Sequence, residues 1–390
     1  MNGVDMTELL QTIKEFFSKK EPLPAGLYSY HSPQDAEDQY RLHLRIEADG
    51  TGLLVINAST VLHLNQTAVE FAYHLIKQTD HEEAVQQIAK RYRVDQDQIR
   101  RDYDEFIEKV QTLIHTPDLD PVTYLDIERQ EPYSGKASAP YRLDCALTYR
   151  MGTESHREDA PIDRVDRELS TEEWLAVFHK AFNHGIPHLL LTGGEPTLRE
   201  DLPDLLLKAE ELGLVTGLLT DGLKLGEDDY RDSLLNCGLD HIMIVFDPEQ
   251  PALWDILDKI LAEDLFTTVH LTLEPGEDLT PHIKRLAEIG ANALSLSTTD
   301  KNLMDDLQAL RDFAAMQQLE LVWDMPVPYS SNNPVALELE NAEEQEPPEG
   351  AGKAWLYVEP DGDVLPAQGM YDQILGNLLT DEWEEIWRDH

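Results

Sequence analysis

The spacing of hydrophobic positions changes along the chain, and each change predicts a different kind of element. Leu42, Leu44 and Ile46 alternate with His43, Arg45 and Glu47, the two-residue period of a strand with one buried face. Asp49-Gly50 is a hairpin signal, and Leu53-Leu54-Val55-Ile56 and Val61-Leu62-His63-Leu64 follow as two more strands. The period then lengthens. Val69, Ala72, Tyr73 and Ile76 fall on one helical face, as do Val85, Ile88, Ala89 and Tyr92, and then Ile99, Tyr103, Phe106 and Val110. Three strands followed by three helices predict a small winged-helix-like α+β domain over residues 26–115, preceded by an N-terminal helix or arm over 1–25.

Residues 116–140 hold Pro117, Pro121, Pro132, Gly135 and Pro140 without periodicity, which predicts a linker or an extended strap. From Tyr141 apolar strand candidates begin near Tyr141, His188, Leu214, His241, Thr267, Ala293 and Leu319. After the first, longer interval they recur about every 26 residues with helical patterns between them, the βα rhythm of a barrel or an open parallel sheet over 141–335. Ser170-Thr171-Glu172-Glu173 and Thr197-Leu198-Arg199-Glu200 each predict a capping box at a helix start. Residues 336–353 are acidic and rich in breakers and predict a mobile loop. In 354–390 the pattern predicts a strand at Trp355-Leu356-Tyr357-Val358, a turn at Pro360-Asp361-Gly362-Asp363, a strand at Val364-Leu365 and a closing helix carrying Trp383, Ile386 and Trp387.

Composition narrows the functional classes. A chain of 390 residues with 41% hydrophobic residues can build two or three domains. No apolar run approaches the roughly 20 residues that cross a bilayer, and Met1-Asn2-Gly3-Val4-Asp5 lacks the basic start of a secretory signal, so a cytoplasmic address is expected. Two cysteines exclude a disulfide framework. The formal net charge of −45 opposes binding to nucleic acid or to an anionic membrane, because phosphate contacts need clustered Lys and Arg.

The candidate chemistry centres on Gly193-Gly194-Glu195-Pro196. Two glycines at a strand end permit close backbone approach or a positive φ, Pro196 suits the first turn of a helix, and Glu195 can accept hydrogen bonds from an ammonium group. Taken alone, the run reads as a tight strand-to-helix turn. His156, Glu158, Asp159 and Asp163 could offer nitrogen and oxygen ligands to a metal, although an acidic surface loop is the simpler reading. Walker loops, nucleophile elbows and paired CxxC motifs are absent.

These residues carry a family resemblance. The run from His188 to Thr197 resembles the Gly-Gly-Glu-Pro signature of radical S-adenosylmethionine (radical SAM) enzymes, and the strand from Tyr141 to Arg150 resembles their first barrel strand. Thr220-Asp221-Gly222 is similar to the family's Thr-Asn-Gly, and Phe246-Asp247-Pro248 to its Leu-Asp-Gly. The tail Glu359-Pro360-Asp361-Gly362-Asp363-Val364-Leu365-Pro366, with Gly376-Asn377-Leu378 and Glu385-Ile386-Trp387, is similar to the SPASM or twitch extension of peptide-modifying members. The N-terminal segment resembles the PqqD-like peptide-chaperone family, the RiPP recognition element. The implied fold is α/β: a partial (β/α) barrel of the radical SAM type, preceded by the winged-helix-like domain and followed by a short SPASM/twitch-like extension. The resemblance implies cofactor-binding roles for Gly193, Gly194, Glu195, Pro196, Thr220 and Asp221. It also implies that a leader peptide adds as a strand at Val61, Leu62, His63 and Leu64, beside a helix from about Asp95 to His115. Lys90, Arg91, Arg93, Arg100 and Arg101 form the most basic cluster of the chain, either a solvated helical face or a seat for an acidic leader.

The departures are as informative. The three cluster-ligand positions of the family fall on Met151, Ser155 and Glu158, and the tail's Pro-Cys becomes Pro366-Ala367. A [4Fe–4S] cluster is held by thiolates, so no such cluster is expected, whereas S-adenosylmethionine binding remains open. The expectation is therefore a cluster-less radical SAM-like pseudoenzyme with no catalytic residue of its own. It would bind or present a ribosomally made peptide, or regulate an active partner maturase. The alternatives are an S-adenosylmethionine-using transferase without the cluster, with Glu195 anchoring the methionine end, and a barrel that only mediates assembly.

Overall fold

The computed structural model describes residues 22–33, 40–57, 60–116, 137–152, 157–263, 265–342 and 348–388. The chain divides into two compact units, Met1–Glu131 and Pro132–His390.

In the first unit, β1 (Gly26–His31), β2 (Arg41–Ile46), β3 (Gly52–Ile56) and β4 (Thr60–Leu64) form an antiparallel sheet in that order. The sequence predicts three strands, and the structure adds β1, whose GLYSYH sequence has no clean apolar alternation to announce it. Three helices follow: α1 (Gln66–Ile76), α2 (His81–Tyr92) and α3 (Gln96–His115). Asn65, Asp80 and Asp95 start them, each side chain accepting hydrogen bonds from two backbone N–H groups of the first turn. The inward residues of the sheet, Leu42, Leu44, Leu54 and Ile56 among them, pack against Val69, Ala72 and Ile76 of α1 and Val110 and Leu113 of α3.

The second unit carries a ten-stranded sheet. Its strands are β5 (Arg142–Thr148), β6 (His188–Gly193), β7 (Val215–Thr220), β8 (His241–Val245), β9 (Phe266–Leu273), β10 (Ala293–Thr298), β11 (Glu320–Leu321), β12 (Trp355–Val358), β13 (Asp363–Leu365) and β14 (Gly376–Asn377). The order is β11-β10-β9-β8-β7-β6-β5-β12-β13-β14, with every neighbouring pair from β11 to β12 parallel. The C-terminal extension is thus not a separate layer, because its first strand continues the barrel sheet beyond β5. Helices α4 (Thr171–Asn183), α5 (Leu202–Leu212), α6 (Asp228–Asn236), α7 (Pro251–Ile260), α8 (Thr280–Ile289) and α9 (Met304–Met316) connect the parallel strands. Leu143, Cys145, Leu147, Leu189, Leu191, Ile242, Ile244, Val269 and Leu271 share one core with these helices. The alternate positions, including Arg142, Asp144, Leu190, Leu219 and Met243, therefore face the concave side.

Three expectations of detail are corrected. Ser170 forms the capping box with Glu173, but Thr197 does not form one. Glu195 has already taken the Thr197 N–H, Pro196–Leu198 make a single 3₁₀ turn, and α5 begins only after Asp201. The segment expected as an acidic loop opens with a helix, α10 (Val335–Ala342). The end of the expected linker is packed: Trp383 and Trp387, in and just after α11 (Trp383–Ile386), donate their indole N–H groups to the carbonyls of Ser138 and Ala137 at 3.2 and 2.9 Å. Residues 117–136 of the expected linker and the N-terminal arm up to residue 21 lie outside the described residues. Among the described residues no helix is long and apolar enough to cross a membrane.

Candidate functional site

The Gly-Gly-Glu turn sits at the C-terminal ends of β5 and β6, and its geometry explains both glycines. Gly193 has φ +125°, and a Cβ there would lie 2.1 Å from the Thr148 carbonyl oxygen. A Cβ on Gly194 would lie 2.3 Å from the Arg150 carbonyl oxygen. Without side chains, the Gly194 and Glu195 N–H groups reach the Thr148 and Arg150 carbonyls, both at 2.8 Å. The register shift between Ala146 and Thr148 marks the same place. The turn clamps two strand ends together.

Three of the six residues expected at a cofactor site, Glu195, Thr220 and Asp221, meet at one carboxyl group, where Thr197 joins them. Glu195 is 5% exposed, and its Oε1 accepts from the Thr197 N–H at 2.9 Å and the Thr220 hydroxyl at 2.8 Å. The Thr197 hydroxyl donates to the same oxygen, and the Asp221 N–H donates to Oε2 at 2.8 Å. Burial, then the charge of Asp221, pushes the Glu195 pKa up; burial also raises that of Asp221. Gly193 and Gly194 shape the backbone beside this group, and Pro196 opens the 3₁₀ turn that follows.

Above this turn lies an aromatic cluster that sequence reasoning missed. Tyr149, Tyr329 and Tyr357 are each at most 2% exposed. The Tyr149 hydroxyl donates to Glu359 at 3.0 Å, and the Arg164 guanidinium holds both Glu359 oxygens at 2.6 and 2.8 Å while stacking on Tyr371. The Tyr329 and Tyr371 hydroxyls hydrogen-bond to each other. Glu338 of α10 packs against them, and burial pushes its pKa up to about 8. This group gives a pH signature. Its folded pKa exceeds the unfolded value, so it binds its proton more tightly in the native state, and stability falls as pH rises from about 4.5 to about 8. Glu338→Gln is expected to remove that fall, gaining about 4 kcal/mol relative to the unaltered chain between pH 5 and pH 8.5 in urea titrations. Parallel profiles for the two proteins would refute the assignment.

The expected cluster positions separate. Met151 is half-buried, Glu158 is exposed, and Ser155 and His156 lie outside the described residues. Asp159 is buried and Asp163 exposed, and among the described residues no group of three His, Cys, Asp or Glu side chains could hold a metal ion. Cys145 is buried mid-strand on the helix-facing side, where desolvation and then Asp144 push its thiol pKa well up; Cys237 caps the far end of α6. Ala367, where the tail would carry a cysteine, is also buried. The donors described at the mouth are a thioether, carboxyl groups and tyrosyl hydroxyls, which do not fit the thiolate set of a [4Fe–4S] cluster.

The floor of the concave face carries a second polar group. His188 and His241 lie Nε2 to Nε2 at 2.8 Å across Gly217, where a Cβ would come within 2.2 Å of the His241 ring. Burial, then Arg142, lowers the His241 pKa to about 4, so its ring is neutral at pH 7. Neither histidine stands in a recognisable motif.

In the first unit, β4 is paired only with β3 among the described residues, with Val61 half-buried, Leu62 and Leu64 buried and His63 exposed. Partial burial, then Arg45, lowers the His63 pKa. Two members of the basic cluster are committed: Arg100 bonds Glu82 at 3.0 and 2.8 Å and Asp97 at 2.7 Å, and Arg91 pairs with Glu70. Arg101 is exposed.

Comparison with known proteins agrees with this architecture. Residues 145–247 match the Radical SAM superfamily, and residues 51–113 match Coenzyme PQQ synthesis protein D (PqqD). The chain contains a radical SAM domain and a PqqD domain. The crystal structure of Streptococcus suis SuiB bound to S-adenosylmethionine superposes with a TM-score of 0.57 at 14% identity, covering 93% of this chain and 88% of that one. SuiB bound to precursor peptide SuiA gives 0.55 at 13% identity, covering 89% and 87%. At these identities the likeness concerns the fold, and it places the parallel-strand sheet of the second unit in the radical SAM type.

Proposed function

We propose that this protein is a cluster-less radical SAM-like binder that recognises a ribosomally made peptide and presents it, or that regulates a partner maturase acting on it. The carrying observation is the pairing of a PqqD domain with a barrel mouth whose described donors offer no thiolate. The place of β4 at the end of the sheet, among the described residues, supports leader recognition by strand addition, with main-chain hydrogen bonds supplying affinity and Val61, Leu62, His63 and Leu64 the side-chain contacts. Peptide partners of this kind are supported by SuiB, crystallised with its precursor peptide. The SPASM/twitch-like reading of the tail rests on its motifs and on the β12–β13 hairpin. The net charge of −45 disfavours nucleic acid and anionic membrane as partners.

Anaerobic reconstitution followed by iron and sulfide analysis is the decisive test. Sub-stoichiometric iron is the expected result, and a full cluster per chain would overturn the reading. Titration with a synthetic leader peptide encoded beside the gene should show saturable binding.

A second reading, an S-adenosylmethionine-using enzyme without the cluster, is favoured by the retained Gly-Gly-Glu turn. Gly193, Gly194, Glu195, Pro196, Thr220 and Asp221 would hold the cofactor, which would supply a polar methyl or aminocarboxypropyl group. Against it, both Glu195 oxygens already accept hydrogen bonds from the chain. Calorimetry with S-adenosylmethionine should show no heat; micromolar binding lost in Glu195→Gln would favour the enzyme.

A further inference from the structure

After β11 the chain does something that neither the barrel rhythm nor the proposed function requires. Val322 donates to the Leu294 carbonyl at 3.0 Å, and the chain then leaves the sheet and runs along its concave face as Trp323-Asp324-Met325-Pro326-Val327-Pro328-Tyr329-Ser330. The Asp324 carboxylate and carbonyl accept from Arg142, the first residue of β5, at 3.1 and 2.6 Å. Met325 packs on Leu190, Leu219 and Met243, the concave-face positions of three neighbouring strands. The Tyr329 N–H reaches the carbonyl of Gly193, the last residue of β6, at 3.0 Å, and its ring meets Tyr149 edge-on. Between these ends the Val327 carbonyl accepts from the side-chain amides of Asn333 and Gln368 at 2.9 and 2.8 Å. The segment spans the sheet from the N-terminal end of one strand to the C-terminal end of the next.

The manner of holding is that of a receptor gripping an extended peptide. Most of the polar bonds go to main-chain atoms, and the side chains provide one apolar and one aromatic anchor. Pro326 and Pro328 fix φ near −65°, favour extended geometry in the residues before them and lower the entropy lost on docking. Burial is graded along the segment. Trp323 is 62% exposed and Met325 half-buried, while Pro328 and Tyr329 are buried. A strap seated by few side chains and wet at one end is poised for local release.

We propose that residues 324–329 are a built-in ligand of the concave face, held as a displaceable strap, and that the face beneath them is a binding site for an extended peptide segment in trans. This rests on the reading that the protein handles a peptide, but it assigns a second site, in the other unit from β4. Arg142 reads a carboxylate at the floor, the Leu190–Leu219–Met243 surface takes an unbranched apolar side chain, and Tyr149 with the Gly193 carbonyl takes an aromatic residue at the mouth.

The test uses the full chain with residues 324–329 replaced by glycine and serine, and a fluorescent peptide of residues 322–331. Circular dichroism first establishes that the altered chain folds. Micromolar binding by anisotropy is expected, weakened about tenfold when the peptide carries Asp324→Asn, and weakened at least as much when the unaltered chain is the receptor. A folded altered chain that ignores the peptide, or an unaltered chain that binds it equally well, overturns the proposal. If the replacement does not fold, the Asp324→Ala/Tyr329→Ala double variant serves in its place. Hydrogen exchange on the unaltered chain gives an independent measure. The Tyr329 amide should exchange in low denaturant while Leu189–Leu191 stay protected, and exchange of both only together refutes a releasable strap. Leader-peptide titration reports on the other unit, so its failure alone would sink the proposed function and leave the strap result standing.

Discussion

Gly193→Ala is expected to lower the free energy of unfolding by about 3–5 kcal/mol, or to prevent folding altogether. Two penalties coincide at this position. The backbone stands at φ +125°, a region that side chains resist at a cost of about 1–3 kcal/mol, and the added methyl would meet the Thr148 carbonyl oxygen at 2.1 Å. That oxygen cannot move aside, because it accepts the Gly194 N–H that joins the β6 turn to β5. Gly276 provides the control. It also has a positive φ, +84°, but nothing lies within 4 Å of its would-be Cβ, so Gly276→Ala should cost only about 1 kcal/mol. Urea midpoints of the two variants measure the contribution of the clamp. Equal losses would show that conformation alone, and not the contact between strand ends, requires the glycine.

The second large effect is expected at the floor of the concave face. Arg142 and Asp144 form a buried ion pair at 2.6 Å with side chains 9% and 2% exposed. Removing only the cation leaves a carboxylate in a desolvated place, and Arg142→Met should cost about 3–5 kcal/mol at pH 7. Desolvation already raises the Asp144 pKa while Arg142 opposes the rise, so losing the arginine raises it further. A carboxyl group with a raised folded pKa loses stability as pH climbs above its unfolded value. The deficit should therefore shrink as pH falls towards 4. Asp144→Asn in the same chain should restore most of the loss, because the amide carries no charge to bury. If the double variant is no more stable than Arg142→Met, the effect belongs to the Asp324 contacts or the packing on Trp355 rather than to a stranded charge.

Much of the architecture is legible in the sequence because local periodicity reports burial directly. The strands predicted near Tyr141, His188, Leu214, His241, Thr267, Ala293 and Leu319 all appear within two residues of those starts, and the Ser170 capping box forms as the pattern requires. Periodicity was weaker where burial was partial. Strand β1 escaped because both its faces are partly exposed, and α10 escaped because an acidic composition masked Val335, Ala336 and Leu337. Near Thr197 a correct local motif was overridden: the carboxylate of Glu195, two residues upstream, captured the N–H that the capping box would have organised around its own cap.

The candidate site divides in the same way. The Gly193-Gly194-Glu195-Pro196 run marks the turn, and Thr220 and Asp221 bond to its Glu195, because strand ends adjacent in a parallel sheet bring their following residues together. The tyrosine–carboxyl cluster was invisible, since Tyr149, Tyr329, Tyr357 and Tyr371 come from segments with no common motif. Met-Pro-Val-Pro-Tyr was the one available signal for the strap, as alternating prolines mark an extended run, but nothing local says what such a run lies against.

The sequence by itself determined the order and type of most elements, the presence of a strand-end glycine turn, and the shortage of sulfur ligands, with two cysteines in 390 residues. Each of these is a property of nearest neighbours or of composition. Only the tertiary structure decided that Glu195 turns inward to Thr197, Thr220 and Asp221, that β12 extends the barrel sheet beyond β5, and that Arg142 grips Asp324 across 182 positions of chain. Contacts so distant are set by the register and curvature of a sheet that forms as a whole, and a pairing made there leaves no trace in the spacing of residues along either segment.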